Sequence, residues 1–120
     1  MRKLIVLLLF AILAFFISCS SSQYKNMQIT LPDLSIKTDG TYRGEANFSG
    51  VPTKVTLDTV LQNHRIVSIT IISHSASSIG RKAEVIIEEI IKRQSLDVDV
   101  VSGSTVSSNA IRKAVENALQ

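Results

Sequence analysis

Apolar and polar residues alternate along the middle of the chain, where residues 41–48 and 51–58 each place every second side chain on one face. This period of two is typical of strands with one buried face. Residues 65–72 form a third strand-like stretch, which follows the polar turn at residues 62–64. Because Ser49 and Gly50 between the first two stretches are typical hairpin residues, the pattern predicts an antiparallel meander.

From Ala83 onward the apolar residues follow a helical period instead. They share one face at positions 83, 86, 87, 90 and 91. Residues 95–101 return to alternation and predict a short fourth strand. A last helix has its apolar stripe at Ala110, Ile111, Ala114, Val115, Ala118 and Leu119, and turns Arg112, Lys113, Glu116 and Asn117 to water. The pattern therefore predicts an α+β domain, with an antiparallel sheet of about four strands and two main helices packed on it.

The beginning of the chain has the layout of a secretory signal. Arg2 and Lys3 are basic, residues 4–17 are uninterrupted apolar residues, and Ser18 follows. A basic start, an apolar stretch of about 7–15 residues and a small residue at the cleavage site define such signals. An uncleaved anchor helix is the alternative, but a membrane span needs roughly 20 apolar residues. Residues 1–18 are therefore predicted to be a lipoprotein-type signal peptide.

Cys19 is the single cysteine of the chain and follows the apolar stretch directly, so it has no partner for an intramolecular disulfide. The sequence FFISC around it resembles a bacterial lipobox, with Phe16 where leucine is usual. This resemblance implies that Cys19 is lipidated and anchors the protein to a bacterial membrane from outside the cytoplasm. An ordinary cleavage site beside an unused thiol is the alternative. Residues 19–39, polar and rich in serine, are predicted to tether residues 40–120, the folded domain.

The charge and the motifs of the chain argue against several classes of function. The net charge is +3, and +1 without Arg2 and Lys3, with no basic run later in the chain. We therefore predict no nucleic-acid partner. His64 and His74 are ten residues apart, with no cysteine nearby and no cluster at metal-ligand spacing, so no metal site is predicted. The residues 102–108, SGSTVSS, contain neither a P-loop nor the glycine-serine-glycine elbow of many hydrolases.

The same serine-rich segment precedes the last predicted helix and has two interpretations. Capping of the helix by Ser107 or Ser108 needs only one hydroxyl. Binding of a phosphate uses the unpaired N–H groups and the positive end of the helix dipole. Gly103 permits a tight turn and close approach of the backbone to a ligand. Hydroxyls for such a site come from Ser102, Ser104, Thr105, Ser107 and Ser108.

Residues 96–119, LDVDVVSGSTVSSNAIRKAVENAL, resemble the flavinylation region of the FMN-binding domain family. The family includes domains in the C subunit of the sodium-translocating NADH:quinone reductase and in the G subunit of the Rnf complex. Its motif is aspartate, two variable residues, serine or threonine, glycine, alanine and threonine. Here the motif begins at Asp99 and ends at Thr105, with Ser104 where alanine is usual. Residues 38–46 and 74–99 also resemble family segments, so the likeness covers nearly all of the predicted domain.

The resemblance implies FMN as the cofactor, bound through a phosphoester to Thr105. A flavin transferase that uses FAD would install it, with Asp99 serving recognition or activation. Ser102, Gly103, Ser104, Ser107 and Ser108 are predicted to surround the phosphate. His74 is predicted to border the flavin, and Lys82, whose positive charge opposes the dipole at the first helix, to face its anionic groups.

The chain is thus expected to be a lipid-anchored, extracytoplasmic flavoprotein that relays electrons between membrane donor and acceptor proteins. It is interpreted as a carrier rather than a stand-alone enzyme, and no catalytic residue is predicted. Two alternatives remain open. One is a lipoprotein module that holds a phosphorylated ligand without a covalent bond, and the other is a flavin-dependent reductase of a small substrate.

Overall fold

The computed structural model describes residues 27–48, 52–75 and 81–120. Its strands are β1 (Gly40–Asn47), β2 (Lys54–Gln62) and β3 (Arg65–Ser75), its α-helices are α1 (Ile86–Arg93) and α2 (Thr105–Leu119), and its 3₁₀ helices are η1 (Leu34–Ile36) and η2 (Lys82–Val85). No helix in these ranges is long and apolar enough to cross a bilayer. The predicted signal segment, Cys19 and the predicted hairpin turn at Ser49 and Gly50 lie outside the described residues.

The sheet is the predicted meander, in the order β1-β2-β3 with both pairs antiparallel. Asn63 and His64 connect β2 to β3, and both have a left-handed backbone, with φ of 52° and 61°. Two consecutive positive φ values are those of a tight two-residue hairpin, whose twist matches the twist of the strands. The α+β class predicted from the pattern is confirmed.

Helix α2 lies on the sheet with the predicted apolar stripe inward. Every residue of that stripe is buried. On β2, alternate residues face the helix, at Val55, Leu57, Thr59 and Leu61. Gly44 of β1 allows the close approach, because a Cβ at this position would lie 2.7 Å from the Cβ of Ala118 and closer still to the carbonyl oxygen of Ala114.

The helix predicted from Ala83 begins as η2 and continues as α1, and it buries Ala83, Ile86 and Ile90. Its end is fastened to β3 by the side-chain amide of Gln94. The Ile66 N–H donates to Gln94 Oε1 at 2.8 Å, and Gln94 Nε2 donates to the Ile66 carbonyl at 2.8 Å. Gln94 thus gives the first part of β3 the pair of bonds that a neighbouring strand would supply.

Residues 95–101 differ from the prediction of a fourth strand, since the described sheet has three strands and this segment pairs with none of them. Leu96 and Val98 are nevertheless buried, which accounts for the alternation in the sequence. In place of a neighbouring strand, a side chain of α2 bonds the backbone of this segment. Arg112 Nε donates to the Leu96 carbonyl at 2.6 Å. The alternation of apolar and polar residues shows only that one face of the segment is buried. An irregular extended segment can bury one face as well as a strand does.

Residues 27–39, which sequence reasoning assigned to the tether, pack against the domain. Ile29 and Leu34 belong to its core. The Thr30 N–H donates to Glu116 Oε2 at 2.7 Å, and Lys113 bonds the other carboxylate oxygen. The prediction that Glu116 faces water is wrong for this reason: the residue is only 6% exposed. The packed unit therefore includes residues 27–39.

Candidate functional site

The turn before α2 is closed by a backbone hydrogen bond and braced by a serine. The Ser104 N–H donates to the Val101 carbonyl at 2.9 Å, and Gly103 takes the left-handed φ of 78° that the turn requires. The Ser108 hydroxyl donates to the Ser104 carbonyl at 2.8 Å and accepts from the Val101 N–H at 3.1 Å. The turn is thus held at both ends by a side chain from the first turn of the helix it precedes.

The helix begins at Thr105, and its N-cap is Ser104, whose side chain makes no capping hydrogen bond. Capping by Ser107 or Ser108, one of the two sequence interpretations, is therefore wrong, because both residues lie inside the helix. The first N–H groups of a helix have no partner within it, and they carry the positive end of its dipole. This end of α2 is suited to an anionic group.

The predicted phosphate-binding residues differ in how accessible they are. Ser102 and Gly103 are exposed, and Thr105 is half-buried. Ser104, Ser107 and Ser108 are 5%, 4% and 0% exposed. The hydroxyl of Ser108 is already used within the turn. Of the five hydroxyls, those of Ser102 and Thr105 are therefore the ones best placed to meet a ligand.

His74, near the end of β3, is packed against η2. Its side chain is 2% exposed, and its Nδ1 lies 2.9 Å from Oε1 of Glu84, whose side chain is 38% exposed. The other ring nitrogen, Nε2, is buried and has no hydrogen-bond partner. A buried polar atom without a partner costs roughly 1–3 kcal/mol, so such atoms are rare unless a ligand or water completes them.

His74 and Thr105 lie toward the same end of the sheet. At the other end of α2, Lys37 Nζ donates to the Gln120 carbonyl at 3.3 Å. Three residues earlier, Asn117 Nδ2 donates to the Glu45 carbonyl at 2.7 Å. The N-terminus of α2, with Thr105, therefore points toward the end of β1. At that end of the sheet the register places Asn47, Lys54 and Ser75 side by side, and His74 precedes Ser75.

The remaining predicted residues are exposed or outside the described ranges. Lys82 is exposed in η2, which packs against α2. Asp99 is exposed in the irregular segment before the turn, two residues from Val101. This position leaves Asp99 open to solvent. Cys19 is not among the described residues.

Arg112 is a supporting residue that sequence reasoning missed, since it was assigned to the water-facing side of the helix. Besides its bond to Leu96, it donates to Asn109 Oδ1 at 2.8 Å. Burial lowers the pKa of Arg112, and the charges of Asp97 and Glu116 partly oppose this effect. Arg112 fastens the segment that leads into the turn onto the helix that follows it. No signal in the helical period distinguishes such an arginine from a solvated one.

The sequence of the chain is similar to a known family and to a known protein. The family model described as the FMN-binding domain matches residues 49–120, which include β2, β3, both α-helices and the turn before α2. An uncharacterized protein of Treponema pallidum (strain Nichols) is 38% identical over 84 residues. That match covers 68% of this chain and 23% of the relative, so the chain spans about a quarter of the relative's length.

Proposed function

This chain belongs to the FMN-binding domain family, with FMN as its cofactor, and we propose that FMN is attached covalently, through a phosphoester, to the side-chain oxygen of Thr105. The observation that carries the proposal is the start of α2. Thr105 is its first residue and is only half-buried. A phosphodiester there would meet free N–H groups and the positive end of the dipole.

The described residues fit FMN at two places. The N-terminus of α2 suits its phosphate, and the buried, unpartnered Nε2 of His74 at the same end of the sheet suits a polar group of the flavin. Ser102 is exposed beside the turn and is a second hydroxyl for the phosphate.

Attachment needs an external enzyme, because a threonine hydroxyl is a poor nucleophile without a general base. A flavin transferase would move the FMN phosphoryl group of FAD to Thr105 Oγ1, with AMP as the leaving group and loss of the hydroxyl proton. Asp99 would be part of the surface that the transferase recognises, since it is exposed close to the acceptor.

The bound FMN would supply reversible electron transfer, while the protein orients the flavin and tunes its potential. We propose that the domain relays electrons between membrane donor and acceptor proteins, outside the cytoplasm, and that a lipid on Cys19 anchors it. Because residues 27–39 pack on the domain, at most residues 19–26 remain as the tether. Eight extended residues span at most about 29 Å, so both partners must lie close to the membrane surface.

Flavin fluorescence on a denaturing gel tests the attachment. The protein is expressed with and without a flavin transferase, and the wild type should give a fluorescent band only with it. Thr105→Val should remove the band, because valine keeps the shape and lacks the oxygen. Ser104→Ala, which removes the neighbouring hydroxyl, should retain it.

Each other outcome identifies a different function. A dark wild-type band together with FMN that co-purifies under native conditions would contradict the covalent link and favour a non-covalent binding module. Turnover of a small substrate by the isolated flavoprotein would favour a reductase. The anchor is tested separately, since Cys19→Ser should abolish labelling by a radioactive fatty acid, and unchanged labelling would refute the assignment of Cys19.

A further inference from the structure

We infer that Glu84 is a positioning residue: it holds His74 in one tautomer, so that His74 Nε2 accepts a hydrogen bond from FMN. The inference rests on the proposed function for the identity of the ligand. It assigns to Glu84 a role that neither the sequence pattern nor the motif of the attachment site indicates.

The tautomer follows from the chemistry of the pair. An ionised carboxylate has no proton to donate, so in the contact at 2.9 Å the Nδ1–H of His74 donates to Glu84 Oε1. In a neutral imidazole with its proton on Nδ1, Nε2 carries a lone pair and is an acceptor. A carboxylate that bonds one ring nitrogen commonly sets the role of the other nitrogen in this way.

Because the His74 ring is buried, this tautomer leaves an acceptor nitrogen out of contact with water. The side chain is 2% exposed, and Nε2 has no hydrogen-bond partner. Glu84 bonds only the Nδ1 side of the ring, so Nε2 is a buried acceptor whose hydrogen bond is unmade, which costs free energy. A ligand donor that reaches Nε2 recovers this free energy, and the imide N–H and ribityl hydroxyls of FMN are donors of the right kind.

The location of the pair agrees with such a contact. Glu84 lies in η2, which packs against α2, and His74 lies near the end of β3 toward which the N-terminus of α2 points. An FMN attached at Thr105 would therefore start from the end of the sheet that carries this acceptor.

Nitrogen NMR of histidine in the full chain without a histidine tag tests the inference. The chain has two histidines, and His64 is an internal reference, because its Nδ1 lies 2.9 Å from the Leu34 carbonyl oxygen and must donate to it. Without flavin, His74 should show the same tautomer as His64, with Nε2 unprotonated. In the flavinylated protein the Nε2 resonance of His74 should shift to that of a hydrogen-bonded acceptor, while that of His64 stays in place.

Two glutamate variants separate positioning from a general effect of charge. Glu84→Gln should populate the opposite tautomer of His74, because an amide can either accept from Nδ1–H or donate to Nδ1. Glu88→Gln removes an exposed carboxylate one helical turn further on and should leave the His74 spectrum unchanged. A wild-type His74 spectrum in Glu84→Gln overturns the role of Glu84.

The remaining outcomes distinguish this inference from the proposed function. A protein that carries flavin but shows no change at Nε2, or shows both nitrogens protonated, overturns the inference and leaves the attachment at Thr105 intact. A wild-type protein without flavin contradicts the attachment. Free FMN added to that sample then tests His74 directly, and an unchanged Nε2 resonance at saturation overturns the inference as well.

Discussion

The Ser108 hydroxyl bonds both the carbonyl of Ser104, at 2.8 Å, and the N–H of Val101, at 3.1 Å, and so holds the turn that presents Thr105. We predict that Ser108→Ala slows attachment of FMN several-fold, because the turn loses its brace and the acceptor is less often in position. The rate at which the fluorescent band grows, with purified transferase and FAD, measures this effect. The loss in stability should be about 1 kcal/mol, as for a typical hydrogen bond.

Ser107→Ala is the matched control for Ser108→Ala, since it removes the hydroxyl of another buried serine, one position earlier in the same helix. It should attach FMN at close to the wild-type rate. Equal rates for wild type, Ser107→Ala and Ser108→Ala would show that the brace does not matter for attachment.

Gly44 is expected to tolerate no side chain. A Cβ there would lie 2.7 Å from the Cβ of Ala118 and would also meet the Ala114 carbonyl, which cannot move without displacing α2. We predict that Gly44→Ala lowers the free energy of unfolding by about 3 kcal/mol, at the upper end for overpacked cores. Denaturant unfolding measures the change. Asn47→Ala, at an exposed position of the same strand, should change it by less than about 0.5 kcal/mol.

Thr59 is expected to be replaceable with a gain in stability. It is fully buried between β2 and α2, and its hydroxyl has no hydrogen-bond partner. Thr59→Val keeps the shape and removes the buried polar atom, so the free energy of unfolding should rise by about 1 kcal/mol. Thr41→Val, on an exposed position of β1, should change it little. A less stable Thr59→Val protein would indicate that this hydroxyl has a partner in solution.

Glu116 should make stability depend on acid pH. Burial raises its pKa, but the hydrogen bonds from Lys113 and the Thr30 N–H outweigh burial and hold the pKa of Glu116 below the ordinary carboxyl value. A lowered folded-state pKa stabilises the protein above the unfolded-state pKa of about 4.3, and this contribution is lost as the pH falls through the folded-state value. Glu116→Gln should therefore cost about 2 kcal/mol at pH 7 and progressively less below pH of about 4.

The pH dependence of unfolding for the two proteins measures the role of Glu116. Glu45→Gln is the control, since Glu45 pairs with Lys54 in an exposed contact of 3.0 Å and should have a smaller effect. A constant difference between wild type and Glu116→Gln from neutral to acid pH would contradict the assignment to the charged form.

The local sequence pattern was sufficient to predict a helix or strand wherever the element packs one apolar face against one neighbouring element. The apolar stripe of α2 and the alternation in β1 and β2 follow from residues a few positions apart, because such neighbours share a face in any helix or strand. The segment 95–101 shows where this fails. Its alternation does record the burial of Leu96 and Val98, but pairing with another strand depends on which backbone lies beside it.

For the candidate site, the sequence predicted a serine-rich turn before the last helix and, through the family motif, Thr105 as the acceptor, but it placed the helix cap wrongly at Ser107 or Ser108 instead of Ser104. Only the tertiary structure decided that Ser108 braces the turn, that residues 27–39 cover Glu116, and that Glu84 meets a buried His74. These relationships join side chains to groups on other elements, up to 86 residues away for Thr30 and Glu116. Their hydrogen bonds depend on distances of about 3 Å, which the packing of the whole domain sets and no local period encodes.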